Sequence, residues 1–323
     1  MSVSIKNAVC AAGSSGQRYD LVCKEVLSYR QILAFIMKET VREYQNCSME
    51  EIEKRWIEPE SICLEEPVGR DSARIHGVRN EDSTISEGTV LFDVLFRAKY
   101  PDKTGGKIGL RINIEAQEDY RPGYPISARA MFYCARELSS QPDHLFEGMN
   151  YGKLEKVYSI WICTGGRIPE REQFSTSLYR TVKYDIMGKT DEQELGYDLM
   201  NSVIIRLGKD DGAGTNRLFE MLQALFSRHM DIDQRISRLE RLGIRMEETL
   251  KKEVEAMCNL SQGIWREGIE TGIEEGFAQG EKNKAYKAAG NMFARGFSAE
   301  ETAGIVEEDI SVVRSWYQEW KRG

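Results

Sequence analysis

The segment 110–117 alternates without a break between apolar and polar side chains, and this pattern constrains the fold more than any other feature of the chain. Such alternation is typical of a strand with one face in the core. A second, apolar run at 91–96 precedes it across a turn-rich segment, 101–107. The two runs are predicted to pair as an antiparallel hairpin. The alternating members are apolar Leu110, Ile112, Ile114 and Ala116, and polar Arg111, Asn113, Glu115 and Gln117.

Asp93 is the one charged residue in the apolar run 91–96. Burying a lone carboxylate costs free energy unless a partner compensates for its charge. Pairing of the two strands would bring Asp93 close to Glu115, and neighbouring carboxylates repel each other unless a cation lies between them. The sequence therefore predicts a metal site. Mg²⁺ is the expected ion, because it binds a few carboxylates and keeps several waters, and Mn²⁺ is the alternative.

Asp93, followed by Glu115-Ala116-Gln117 on the next strand, resembles the metal-binding core of the PD-(D/E)XK nuclease superfamily. Over most of its length the sequence is similar to one transposase-like branch of this superfamily, the recombination-promoting nuclease (Rpn) and putative transposase proteins. The resemblance implies a restriction-endonuclease-like core, a mixed sheet flanked by helices, with Asp93 and Glu115 as metal ligands for DNA hydrolysis. The resemblance also rests on Tyr19-Asp20 with Lys24, the runs 112–117 and 157–162, the glycine-spaced helix and the short helical end.

Gln117 stands where the superfamily pattern has lysine. A lysine would stabilise the attacking hydroxide by its charge, whereas a neutral amide can only orient the water through hydrogen bonds. The resemblance to the Rpn-like branch extends to this glutamine and implies that Gln117 orients the water. Lys24 is expected to offset charge near the phosphate. Asp20 and Glu25 are further candidate acids, with a solvated acid at a helix start as the alternative for each.

Composition limits the partners that the chain can bind. The net charge of −8 and the pI of about 5.3 exclude a strongly basic overall surface, so any DNA contact must come from a local patch. Seven scattered cysteines without a C-x-x-C pair favour reduced thiols and a cytoplasmic location. No apolar run reaches the roughly 18 residues of a membrane span.

The rest of the core is predicted to alternate between helices and strands, which indicates a mixed sheet with helices on its faces. Arg129 and Arg136 lie one heptad apart on the helix predicted at 126–140. Three roles remain open for these arginines: contact with a DNA backbone, pairing with the metal-site acids, or simple solvation. Helices are expected at 19–46, 126–140 and 218–226, and strands at 156–163, 179–187 and 203–207.

The C-terminal part is different in character. Apolar residues spaced by three and four predict an amphipathic, coiled-coil-like helix at 232–250. A helix with glycine at every fourth position follows, which favours close contact with another helix or, alternatively, a flexible linker. The end, 281–323, resembles a helix-turn-helix, but its seven basic and seven acidic residues make packing or assembly the expected role. The repeating residues are Gly268, Gly272, Gly276 and Gly280 beside Trp265, Ile269, Ile273 and Phe277.

The sequence thus predicts a flexible tail at 1–18, a nuclease-like domain at 19–228 and a helical region at 229–323. The expected function is that of a Mg²⁺-dependent DNA endonuclease of the transposase or recombination-promoting type, dimeric through its C-terminal helices. The alternative is a nuclease-like interaction protein that no longer cuts and oligomerises through the same helices. A DNA-binding regulator that uses the helical end is a third hypothesis.

Overall fold

A computed structural model describes residues 15–67, 91–101, 107–117, 120–141, 150–165, 168–189, 198–208, 216–227 and 230–322. The chain divides into two compact units, Met1–Ser261 and Gln262–Gly323. Residues 1–14 of the predicted tail lie outside the described residues. Residues 15–18 are helical, because the first helix begins at Ser15.

The first unit is built on a six-stranded mixed sheet with the order β1-β2-β3-β4-β6-β5. The predicted α/β class is confirmed. Strands β1 to β3 are antiparallel, β3, β4 and β6 run parallel, and β5 lies antiparallel at the edge. The predicted hairpin is the β2–β3 pair. The strands are β1 (Cys63–Pro67), β2 (Leu91–Pro101), β3 (Lys107–Gln117), β4 (Lys156–Cys163), β5 (Ser175–Arg180) and β6 (Met200–Arg206).

Helices cover both faces of this sheet. The main core lies on one face, where apolar residues of β3 such as Ile112 and Ile114 pack with α1, α2 and α4. On the other face α3 packs through Ala130 and Tyr133 against Trp161 of β4. The longer helices are α1 (Ser15–Leu27), α2 (Arg30–Thr40), α3 (Ile126–Ser139), α4 (Arg217–Phe226), α5 (Ile232–Arg241), α6 (Glu248–Ala294), α7 (Ala299–Val306) and α8 (Ile310–Arg322).

The strand predicted at 179–187 is wrong beyond Arg180. Strand β5 ends at that residue, and Ile186 and Met187 are almost fully exposed. The physical reason is the length of the neighbouring strand: Arg180 pairs with Asn201, and β6 begins at Met200. Only Met200 of β6 remains beyond this pair, so a strand that continued to 187 would have no partner in β6 for most of its backbone hydrogen bonds.

The single coiled-coil-like helix predicted at 232–250 is also wrong. Helix α5 ends at Arg241, Gly243 adopts a φ of 90°, and α6 begins at Glu248. Glycine allows this turn because a residue with a side chain is strained at positive φ. Leu239 and Leu250 are fully buried in the main core of the first unit. The apolar seam is therefore covered by the same chain.

Arg235 explains why α5 is held against this core. Its guanidinium is fully buried and donates hydrogen bonds to the carbonyl oxygens of Met230 at 3.0 Å and Leu225 at 2.6 Å, and also to that of Ser227. Carbonyls at the end of a helix have no partner within the helix. Arg235 satisfies those at the end of α4 with a positive charge, which the helix dipole favours there.

The second unit contains the rest of α6 with α7 and α8. Ala303, Val313 and Tyr317 form its small core, and the Thr302 and Tyr317 hydroxyls lie 2.6 Å apart. The predicted helix contact on the glycine stripe is not found among the described residues. A Cβ added at each of the three glycines of the stripe whose surroundings are described would meet no atom within 4 Å. Within the described ranges, no helix is long and apolar enough to cross a membrane.

Candidate functional site

The candidate site lies where β2 and β3 separate. The paired residues of this ladder run from Pro101–Lys107 to Val94–Ile114. Beyond Val94, side chains take over the hydrogen bonds. The backbone N–H of Asp93 donates to Oε1 of Glu115 at 3.2 Å, and the N–H of Ala116 donates to Oδ2 of Asp93 at 3.0 Å. The register of the hairpin thus brings both carboxylates together inside the protein.

Helix α1 brings a cation to these acids. Nζ of Lys24 lies 3.3 Å from Oδ1 of Asp93 and 2.6 Å from Oδ2 of Asp20, and the lysine side chain is 9% exposed. Asp20 therefore reaches the site through Lys24. Glu25 is the other candidate acid of α1. Burial is the largest cause of the raised pKa of Tyr29, and the charges of Glu253 and Glu25 raise it further. Glu25 is thus placed with Tyr29.

Gln117 lies two residues after Glu115 on the same strand, so both side chains point to the same face. It pairs with Cys163 in the parallel β3–β4 ladder, and its carbonyl accepts a hydrogen bond from the Thr164 N–H at 3.0 Å. Its backbone is therefore fixed at the end of β3. The side chain is half-buried on the face that carries the carboxylates.

The electrostatics of the pair are unfavourable for two ionised acids. Burial raises the pKa of Asp93, and the charge of Lys24 opposes this increase only in part. Burial and the charge of Asp93 together raise the pKa of Glu115 well above its ordinary value of 4.5. Desolvation and a like charge both disfavour ionisation. Lys24 thus contacts two carboxylates, those of Asp20 and Asp93, while Glu115 lies beside Asp93.

Asn113 belongs to this site, although the sequence analysis treated it only as a polar member of the strand. Its Nδ2 donates to Oε1 of Glu115 at 3.2 Å. Its Oδ1 is buried and accepts no hydrogen bond from the described part of the chain. A buried oxygen without a partner is costly and calls for an explanation. Its position two residues before Glu115, on the same strand face, was the available signal.

Arg129 of α3 is the second cation near Glu115, and its charge lowers the pKa of that carboxyl. The guanidinium lies over three rings, 5.2 Å from the centre of Tyr133, 5.4 Å from Trp161 and 5.6 Å from Tyr124. It donates to the Tyr133 hydroxyl at 2.7 Å and to that of Tyr124. Burial, followed by the charge of Glu115, raises the pKa of Tyr133 to about 12, so this phenol is neutral and can accept those bonds.

Arg136, the partner of Arg129 in the sequence pattern, lies over the ring of Phe132 at 5.1 Å. The two arginines therefore differ in surroundings although they share a helix face. The sequence pattern indicated only an apolar helix position for Tyr133, and its place four residues after Arg129 on α3 was the signal for a role in the site.

The donor set fits a hard divalent cation. The two carboxylates and the unpartnered Oδ1 of Asn113 are oxygen ligands of the kind that Mg²⁺ prefers, and Mg²⁺ retains several waters of its own. A cation beside Asp93 and Glu115 would stabilise their ionised forms, which burial disfavours. No group of three or more His, Cys, Asp and Glu side chains suited to a metal occurs in the described ranges. Protein ligands would thus be few, and Lys24 would share Asp93 with the ion.

Comparison with known protein families, with curated proteins and with solved structures finds no match to this chain. The resemblance to the PD-(D/E)XK superfamily therefore stays a prediction drawn from Asp93 and Glu115-Ala116-Gln117. Function has to be inferred from the chemistry of the site itself.

Proposed function

We propose that this chain hydrolyses DNA phosphodiester bonds with the help of Mg²⁺ or Mn²⁺ bound by Asp93 and Glu115. The observation that carries the proposal is the pair of adjacent carboxylates where β2 and β3 separate, Glu115 buried and Asp93 mostly buried, both with raised pKa values. The mixed sheet with helices on both faces is compatible with a restriction-endonuclease-like core. More specifically, the protein is proposed to be a nuclease of the transposase or recombination-promoting type that works in a reducing cytoplasm.

Each residue has a defined task under this proposal. Asp93 and Glu115 hold the ion, and Asn113 offers a neutral oxygen beside them. A bound divalent metal supplies Lewis-acid chemistry, since it lowers the pKa of a coordinated water and offsets phosphate charge. Gln117 orients the water by hydrogen bonding. Lys24 offsets the negative charge of the phosphate and of the acids around it.

Nicking of a supercoiled plasmid in the presence of Mg²⁺ tests the proposal. The Asp93→Asn and Glu115→Gln variants should each lose about 100-fold or more in rate, because a lost metal ligand removes several kcal/mol of transition-state stabilisation. Glu43→Gln is the matched control, since it removes a partly buried carboxylate that also contacts a lysine but lies outside the site. Undiminished nicking by folded Asp93→Asn protein would contradict the metal site.

A nuclease-like interaction protein is the second candidate, and two observations favour it. Lys24 already places a positive charge beside Asp93, and glutamine replaces the expected lysine at Gln117. In this case Mg²⁺ would neither bind nor support nicking in the wild-type protein. Dimerisation, a part of both hypotheses, can no longer use the buried seam around Leu239. It would depend on exposed residues of α6 such as Phe277, and light scattering at micromolar concentration tests it.

A further inference from the structure

We infer that a cavity two strands away from Glu115, at Ile204, binds an unstacked nucleobase of a nucleic acid strand, with the adjoining phosphate on neighbouring arginines. This inference rests on the proposed function and names the kind of substrate that the site accepts. The cavity has a volume of about 560 Å³, which lies within the range of small-molecule sites. It is formed by the start of α3, the segment before it, β5 and the end of β6.

Three tyrosine rings line this cavity: Tyr120, Tyr124 and Tyr179. Tyr124 and Tyr179 are 43% and 38% exposed, a large fraction for aromatic side chains. Each phenol is nevertheless held by an arginine. Arg206 donates to the Tyr120 hydroxyl at 2.8 Å and is also hydrogen-bonded to Tyr179, and Arg129 donates to Tyr124. Rings that are exposed but fixed lose little entropy when a base stacks on them.

The charges of the cavity suit a phosphate. Arg121 and Arg206 line it against one acid, Glu172, whereas the whole chain has a net charge of −8. Glu172 accepts a hydrogen bond from the Tyr120 hydroxyl at 2.6 Å and lies 3.8 Å from Nε of Arg206, so it offsets part of the charge of that arginine. Helix α3 also starts at the wall of the cavity without a side-chain cap, so its first N–H groups add positive potential. The cavity is thus a local cationic patch on an acidic protein.

Arg129 connects the cavity to the carboxylates. On one side it contacts Tyr124 in the cavity wall, and on the other it contacts Tyr133 and lowers the pKa of Glu115. No carboxylate lies within ion-pair distance of Arg129 in the described part of the chain, and its hydrogen bonds go to phenols. An arginine in this state can bind a phosphate without first breaking an ion pair. A base in the cavity would therefore leave its phosphate between Arg129 and the carboxylates.

The expected substrate is single-stranded DNA, or a duplex with an unpaired nucleotide at the site of cleavage. In a regular duplex the bases are stacked on each other and cannot stack on the tyrosines without first being unpaired. Base–aromatic stacking is also tolerant of sequence, because every base has an aromatic face. The protein should thus discriminate by strand structure more than by sequence.

Fluorescence anisotropy of a labelled oligonucleotide tests the inference in the presence of EDTA, where no cleavage takes place. The probe is a single strand of about 12 nucleotides, comparable with known single-strand sites, beside the same sequence as a duplex. The full-length wild-type chain should bind the single strand more tightly. Tyr124→Ala and Tyr179→Ala should each weaken this binding about 5- to 100-fold, the effect of losing one stacked base. Tyr184→Ala is the matched control, because Tyr184 is 82% exposed and does not line the cavity.

The outcomes separate this inference from the proposed hydrolysis. Equal affinity for both probes, or wild-type affinity in the Tyr124→Ala and Tyr179→Ala double variant, would overturn the inference, even if plasmid nicking is retained. Binding that depends on both tyrosines supports it, even if no nicking is detected and the proposed hydrolysis fails. Tyr124→Phe and Tyr179→Phe should restore most of the affinity, since the ring and not the hydroxyl stacks on the base.

Discussion

Two lysines in the first unit each contact a pair of carboxylates, but the two clusters differ in how well their charges balance. Nζ of Lys156 lies 2.7 Å from Glu43 and 2.9 Å from Asp198, and the Tyr158 hydroxyl donates to Glu43 at 2.7 Å. Nζ of Lys24 contacts Asp20 and Asp93 in a similar way. The acid that distinguishes the second cluster is Glu115, because it adds a buried carboxylate whose pKa the nearby charge of Arg129 lowers only in part.

The pKa directions show the consequence of this difference. Burial lowers the pKa of Lys156, but its hydrogen bonds to Asp198 and Glu43 outweigh that effect and raise it. The cluster at Lys156 is therefore stable in its ionised form. At the other cluster, burial raises the pKa of Asp93 and of Glu115, and the charge of Lys24 does not compensate. A buried cluster with too little positive charge is the one that an added cation would stabilise.

Loss of Lys156 should have the largest effect on stability. The Lys156→Met variant leaves Glu43 and Asp198 without their cation, and breaking such a buried pair costs about 3 kcal/mol of unfolding free energy. Urea unfolding measures the change. Lys24→Met should cost clearly less when Mg²⁺ is present, because the metal can replace the lost charge. Equal losses for both variants in Mg²⁺ would show that the two clusters are alike.

Mg²⁺ should stabilise the wild-type protein by about 1–3 kcal/mol at concentrations ~10–100 times its dissociation constant. The stabilisation should be larger near pH 8 than near pH 5, because protons on Asp93 and Glu115 compete with the metal. Thermal unfolding with and without Mg²⁺ measures it. Asp93→Asn should abolish the effect, whereas Glu43→Gln should preserve it. A shift of equal size in both variants would place the ion elsewhere.

Glu115→Gln should stabilise the metal-free protein by about 1–2 kcal/mol near pH 8, because it removes a buried charge and keeps an oxygen that can accept from Asp93 and Asn113. The sign follows from the raised pKa. Above the ordinary value of 4.5, the folded state binds more protons than the unfolded chain. The contribution of Glu115 to wild-type stability is therefore fully present below that pH and is lost as the pH rises through the folded pKa. Urea unfolding across this range should show a flatter profile in the variant, and an identical profile would contradict the assignment.

Gln117 should have the smallest effect. If it only orients water, Gln117→Ala should reduce the nicking rate by about tenfold or less, clearly less than loss of a metal ligand. Gln117→Lys should remain active or become faster, because a lysine adds charge near the attacking hydroxide. Initial nicking rates in Mg²⁺ measure both variants. An inactive Lys variant that is folded and still stabilised by Mg²⁺ would show that this site does not follow the superfamily scheme.

Local patterns were sufficient for much of the sheet and for part of the site. The alternation at 110–117 predicted strand β3 and the separation of its faces, and the apolar run at 156–163 predicted the buried strand β4. Asp93 and Glu115 followed from the same reasoning, since a carboxylate in an apolar strand is visible in the sequence. These features depend on residues that are close in the chain, where periodicity reports directly on which side of a strand faces the core.

Only the tertiary structure decided which charges meet. Lys24 comes from α1 and Arg129 from α3, and the packing of these helices on the sheet brings both side chains towards the carboxylates. Arg235 holds α5 on the core, so the seam that looked suited to assembly is buried in its own chain. The physical reason is that desolvation and charge pairing depend on every segment packed around a group. Periodicity along the chain carries information on local faces alone, whereas the pKa of Glu115 is a property of the folded protein.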